Sequence, residues 1–199
     1  MSVNTQKRTL RLAQMGLLTA LIIILCVPPL GAVKVTLFTI TLVFLPVSVG
    51  AIRLGPLAGA ILGTIWGIGS FIQALNNVDG GMFFIQASLW RTLVFLIVPR
   101  LLAGLLTAWL FRALKPLLKS PSPILGKLPY VISAVATPLL NSILFLGSLA
   151  LLFNDTFVTN FLPILGSIIA INSLLEAILG LTIGSAVVIA LSRALKRYD

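Results

Sequence analysis

Long uninterrupted apolar runs constrain this chain more than any other feature. Between Leu57 and Leu75 there is no charged residue, and comparable runs recur from end to end. A helix needs about 20 apolar residues to cross the hydrocarbon core of a bilayer. Strands of a membrane barrel would instead alternate apolar and polar residues over about ten positions. The runs here are continuous, so the spans are helices. Composition closes the soluble alternative: 59% of residues are hydrophobic and 9% charged, where a soluble domain carries about 25% charged residues. The chain reads as an all-α integral membrane protein in one domain.

Six spans are predicted, at about residues 9–27, 39–54, 57–75, 85–114, 128–153 and 163–195. Pro28 and Pro29 end the first, because neither continues a helix. An N-terminal signal segment cut after Ala32 is the rival reading of that run, but the run is longer than a typical signal core, so the span is read as retained. The second span is short. Gly55-Pro56 makes a tight turn. Pro99 interrupts the fourth segment, and residues 115–127, with three lysines and three prolines, read as an extended loop.

Charge orients the bundle. An even number of spans puts both termini on one side. That side holds Lys7, Arg8, Arg11, Arg53, Arg112, Lys115, Lys119, Lys127, Arg193, Lys196 and Arg197, whereas the other holds Lys34, Asp79 and Asp155. By the positive-inside rule both termini are cytoplasmic. The sequence has no His and one Cys, Cys26, which excludes a transition-metal site, a His general base and an internal disulfide. No GxxxxGK[ST] loop is present, so this chain does not itself hydrolyse ATP.

Two faces of small residues follow. Gly55, Gly59, Gly63 and Gly67 recur every fourth position in the third span. Such faces let helices approach closely in lipid, either inside the bundle or against another subunit. Ala13, Gly16 and Ala20 make a similar face on the first span, with the same two readings: internal packing, or docking of a partner protein.

Three charges lie inside spans: Arg91, Arg100 and Glu176. Each costs roughly 2.5–3.5 kcal/mol on insertion scales, so each needs a partner, water or a ligand. At about 1.5 Å per residue, Arg91 lies roughly 9 Å deep, Arg100 roughly 22 Å and Glu176 roughly 20 Å. Similar depth predicts an ion pair between Arg100 and Glu176, structural or coupling in role. Arg91 either snorkels outward or faces an outward cavity and awaits an anion. Arginine suits a carboxylate because its planar fork gives two parallel hydrogen bonds. Asn141, Asn172, Gln73, Asn76, Asn77 and Gln86 cluster near the same level, with Trp66 and Trp90 as flat apolar faces. Singly, each amide reads as an interhelical hydrogen bond; together they outline a pocket for a small polar acid.

The order of these features resembles the substrate-binding S components of energy-coupling factor vitamin transporters. The matching pieces are Gly16 and Ala20 as GxxxA, LGPLAGAILGTIWGIGSFIQAL (residues 54–75), LIVPRLLAGLL (96–106), ATPLLNSILFLGSL (136–149) and NSLLEAIL (172–179). The Trp-Gly of the third span and the Pro-Arg of the fourth look most like the pantothenate-type proteins, with folate, niacin or cobalamin as other vitamins of the group. The resemblance implies six helices and an outer site capped by the loop after the first span. It implies a transmembrane coupling subunit and two ATPases as partners, with ATP used by the latter. It implies delivery by toppling of the loaded subunit, and a first-span face turned to the coupling subunit; here Gly16 replaces the usual first alanine. On that reading Arg91 takes the carboxylate, Asn141 and Asn172 the amide or hydroxyls, and Trp66 forms a wall. The rivals are a solitary proton-coupled transporter using Glu176, an intramembrane enzyme, which the lack of His and of paired acids in the spans disfavours, and a purely structural subunit.

Overall fold

The computed structural model describes residues 3–27, 32–35, 38–76, 81–122, 124–153 and 156–195. Among the described residues, eight α-helices and one hairpin follow in order: α1 (Val3–Leu25), β1 (Ala32–Val35), β2 (Phe38–Thr41), α2 (Phe44–Leu54), α3 (Pro56–Leu75), α4 (Gly81–Ala87), α5 (Leu89–Leu114), α6 (Leu128–Leu152), α7 (Thr156–Leu179) and α8 (Ser185–Leu195). A π-helical turn, Gly180–Gly184, joins α7 to α8. Among the described residues, five helical segments are long and apolar enough to cross a membrane. Large apolar side chains cover their outward faces: Leu12, Leu17, Ile143 and Leu151 are all more than two-thirds exposed. A patch of that extent marks contact with lipid or protein, and here it surrounds the bundle.

The second predicted span is corrected. Its first residues are a strand: β2 pairs antiparallel with β1, with Ala32 opposite Thr41 and Val35 opposite Phe38. Thr39, Ile40 and Thr41 are β-branched, which suits an extended, pleated chain. What remains, α2, has 11 residues, a length of about 16 Å against a core of about 30 Å. It does not face lipid: Phe44 and Pro46 to Ile52 are buried.

Other predicted boundaries shift as well. The fourth segment breaks at Ser88, whose extended backbone caps α5 while its hydroxyl accepts from the Arg91 N–H at 3.4 Å. Thr92 Oγ1 donates to the Phe84 carbonyl at 2.6 Å, holding α4 onto α5. Pro99, expected to interrupt, lies buried within a continuous α5; neighbouring helices let spanning helices tolerate proline. The segment after α5 is a 3₁₀ turn over Lys115–Lys119, not an extended loop.

The α2–α3 turn forms as predicted. Gly55 has φ 95°, a conformation open to glycine, and Pro56 stands in the first turn of α3, where no N–H is needed. Arg11 Nη2 donates to the Leu54 carbonyl at 3.3 Å, so the start of α1 meets the end of α2. Arg112 Nη2 stands beside Gly55 as well. The bundle therefore has a basic end, with Arg11, Arg53 and Arg112, and an opposite end that carries the hairpin, Asn76 and α4.

Candidate functional site

The site begins with the glycine face of α3. A Cβ at Gly59 would strike the Gly104 carbonyl, one at Gly63 the Arg100 carbonyl, and one at Gly67 would come within 2.6 Å of Ile97 Cα. These are backbone atoms of α5, which cannot move aside cheaply. The four-residue spacing therefore serves an internal contact. Its consequence is positional: Gly63 seats the backbone of Arg100 against α3, one turn from Trp66.

Arg100 lies between two rings. Its guanidinium carbon is 5.3 Å from the centroid of Trp66 on α3 and 5.4 Å from that of Phe145 on α6. Its Nη1 donates to the Leu96 carbonyl at 2.7 Å, so the side chain leans back along α5 toward the hairpin end. Its Nε is buried with no partner. Each cation–π contact contributes about 0.5–2 kcal/mol, but neither ring accepts the in-plane N–H groups.

The expected Arg100–Glu176 ion pair is not formed as a direct contact. Glu176 is 5% exposed, and its Oε1 accepts from the Thr41 N–H at 2.9 Å and from Thr41 Oγ1 at 2.7 Å. Arg100 and Glu176 share no hydrogen bond: the first donates to the Leu96 carbonyl and the second accepts from Thr41. The reason is the hairpin: Thr41 offers two short donors to a carboxylate that sequence counting left to Arg100.

Helix periodicity brings the amides in. Asn141 precedes Phe145 by one turn on α6, and Asn172 precedes Glu176 by one turn on α7, so each pair shares a face. Asn141 Oδ1 is buried without a partner. Trp66 is 3% exposed. The structure brings Trp66, Arg100 and Phe145 together from α3, α5 and α6, while Asn141 stands one turn before Phe145 on α6 and Asn172 one turn before Glu176 on α7. Phe95 stacks on Phe145 at 4.3 Å and extends the apolar wall outward to Phe84 and Phe153.

Other predicted site residues go elsewhere. Arg91 is exposed in the first turn of α5, and Trp90 beside it is 74% exposed. Gln86 is exposed too. Gln73 Nε2 donates to the Cys26 carbonyl at 2.6 Å, tying α3 to the end of α1. Asn76 is exposed and donates to the Ile72 carbonyl at 2.9 Å, closing α3. Asn77, Asp79, Asp155, Lys196 and Arg197 lie outside the described residues. Sequence reasoning missed Phe145 and Thr41. Phe145 had a signal, one turn after Asn141 on the same face; Thr41 had none, because the hairpin was read as loop and helix.

On the opposite surface, Ala13, Gly16 and Ala20 are all exposed, and a Cβ at Gly16 would meet nothing within 4 Å. Nothing in the described bundle covers this face.

Five helical segments long and apolar enough to cross a membrane, with a guanidinium held between two aromatic rings among them, define a multi-pass helical membrane protein. The comparisons agree with that class. The family described as the substrate-specific component of ECF transporters matches residues 10–191, and the chain belongs to it. That family is one of transporter components rather than enzymes, and its members work with membrane and ATPase subunits of an energy-coupling module. The protein is a multi-pass protein of the bacterial plasma membrane. It is 30% identical to the pantothenic acid transporter PanT of Lactococcus lactis subsp. cremoris (strain MG1363) over 164 residues, covering 77% of this chain and 78% of that one.

Proposed function

We propose that the chain is the vitamin-binding subunit of an ATP-driven importer and that its ligand is pantothenate. The observation that carries this reading is Arg100, held between Trp66 and Phe145 with an unpartnered Nε and no carboxylate in direct contact among the described residues. A carboxylate there completes the in-plane hydrogen bonds the rings leave open. Asn141 and Asn172 are placed for the amide or hydroxyls of the same ligand, and Trp66 for its apolar portion. Arg100 replaces Arg91 as the proposed acid anchor, because Arg91 stands exposed at the end of α5.

The remaining parts of the reading are proposals of the same kind. The exposed face of Ala13, Gly16 and Ala20 docks the transmembrane coupling subunit, and two ATPases hydrolyse ATP for a chain that has no nucleotide loop. The loaded subunit topples to release its ligand inward. The basic end faces the cytoplasm, which puts both termini there and the hairpin outside, with buried α2 completing six passes.

The test is thermal-shift or native mass-spectrometric screening of the purified protein against a vitamin panel. Pantothenate is expected to give the largest shift or to co-purify. Selective retention of folate, niacin or cobalamin would replace it as ligand. Proton-driven uptake by this chain alone in liposomes would overturn the importer-subunit reading in favour of a solitary transporter.

A further inference from the structure

Glu176 carries two oxygens with different fates. Oε1 takes both hydrogen bonds from Thr41, a residue 135 positions away at the end of β2. Oε2 bonds to nothing among the described residues, and it is not among the buried polar atoms that lack a partner. The carboxylate therefore stands with one oxygen fastened to the hairpin and the other without a hydrogen bond to the described residues. An ionised carboxylate is an acceptor only, so what it reads in a ligand is a donor.

We propose that Glu176 is a two-ended specificity residue, its Oε1 fastening the hairpin at Thr41 and its Oε2 accepting a hydroxyl or amide N–H from the ligand. The proposal rests on the reading that the acid group of that ligand sits on Arg100. It makes the substrate class narrower than a small acid. The ligand is an acid bearing a hydrogen-bond donor some way from its carboxylate. A plain fatty or keto acid satisfies Arg100 but leaves Oε2 facing a chain with no hydrogen-bond donor. Selectivity against such acids is then a property of Glu176, not of Arg100. Glu176 also couples ligand and hairpin, because one carboxylate holds both.

The test compares two ligands on three variants of the purified full chain. The ligands are pantothenate and an acid of similar length with no hydroxyl or N–H. Glu176→Gln keeps a carbonyl oxygen for Thr41 but replaces Oε2 with a donor. It should weaken pantothenate binding by about 10-fold or more, the scale of one charge-assisted hydrogen bond, and leave or improve binding of the plain acid. Hydrogen exchange at the Thr41 amide should stay slow in this variant. Thr41→Val removes the hydroxyl bond only, so it should speed exchange in residues 38–41 and weaken pantothenate binding by less. Arg100→Met should lose both acids. Equal affinity of wild type and Glu176→Gln for pantothenate would overturn the specificity role, as would equal loss of both acids. If wild type binds neither acid, the functional reading fails and the ligand half of this proposal fails with it. The fastening half is decided separately by Glu176→Ala: unchanged exchange at Thr41 would overturn it.

Discussion

The glycine face of α3 and the small-residue face of α1 share one sequence pattern and meet opposite fates. Gly59, Gly63 and Gly67 press onto the backbone of α5, where an added Cβ has no room. Gly16, with Ala13 and Ala20 exposed beside it, looks out from the bundle, and a Cβ there would meet nothing within 4 Å. Small residues permit close approach, but they do not say whose helix approaches. On α3 the answer lies inside the chain and sets the position of Arg100. On α1 the described bundle leaves the face open, which is what a docking surface requires.

The sharpest way to break the comparison is to enlarge the inner face. Gly63→Leu places a branched side chain against the carbonyl of Arg100. Overpacking by even a methylene costs about 1–3 kcal/mol, and a leucine exceeds that, so monodisperse protein with a native melting transition is not expected. Gly63→Ala should retain the fold with a lowered melting temperature and weakened ligand binding, since the Arg100 backbone must move. Gly16→Leu probes the outer face. Its stability should stay within about 0.5 kcal/mol of wild type, as for surface changes away from special features, while co-purification with the coupling subunit is lost. Normal assembly of that variant would move the docking face elsewhere. Arg91→Ala is expected to change pantothenate affinity by less than about threefold, because an exposed charge contributes little. A modest loss of stability belongs to Thr107→Val. Thr107 and Thr137 join α5 to α6 by a buried hydroxyl pair at 3.2 Å, and its loss should lower stability by about 1 kcal/mol in a thermal unfolding scan.

Much of the architecture was legible because hydrocarbon demands long apolar helices and because glycine spacing maps onto one helix face. The small face of α3, the Gly55 turn and the grouping of Arg11, Arg53 and Arg112 follow from those rules. The hairpin did not: Ala32–Val35 and Phe38 fall in the loop before the second span, and Thr39–Thr41 are apolar and β-branched enough to read as its first turn. That single miss propagated. With Thr41 unplaced, Glu176 had no other partner, so depth alone assigned it to Arg100. Arg100 then looked neutralised and Arg91 inherited the ligand. Depth counting gives height along a helix but not azimuth or neighbours. Trp66, Asn141 and Asn172 stand out in the sequence because their polarity or size is anomalous in a span; Phe145 does not, because phenylalanine in a span is ordinary.

Arg100 is the proposed acid anchor. Its most direct test is equilibrium titration of wild-type and Arg100→Met protein with pantothenate and with the alcohol analogue that lacks the carboxylate. The account predicts that wild type prefers the acid and that Arg100→Met loses about 100-fold or more in affinity for it, the scale of a bidentate charged contact, while its affinity for the alcohol changes little. Equal loss for acid and alcohol, or an acid affinity that survives the substitution, would contradict it.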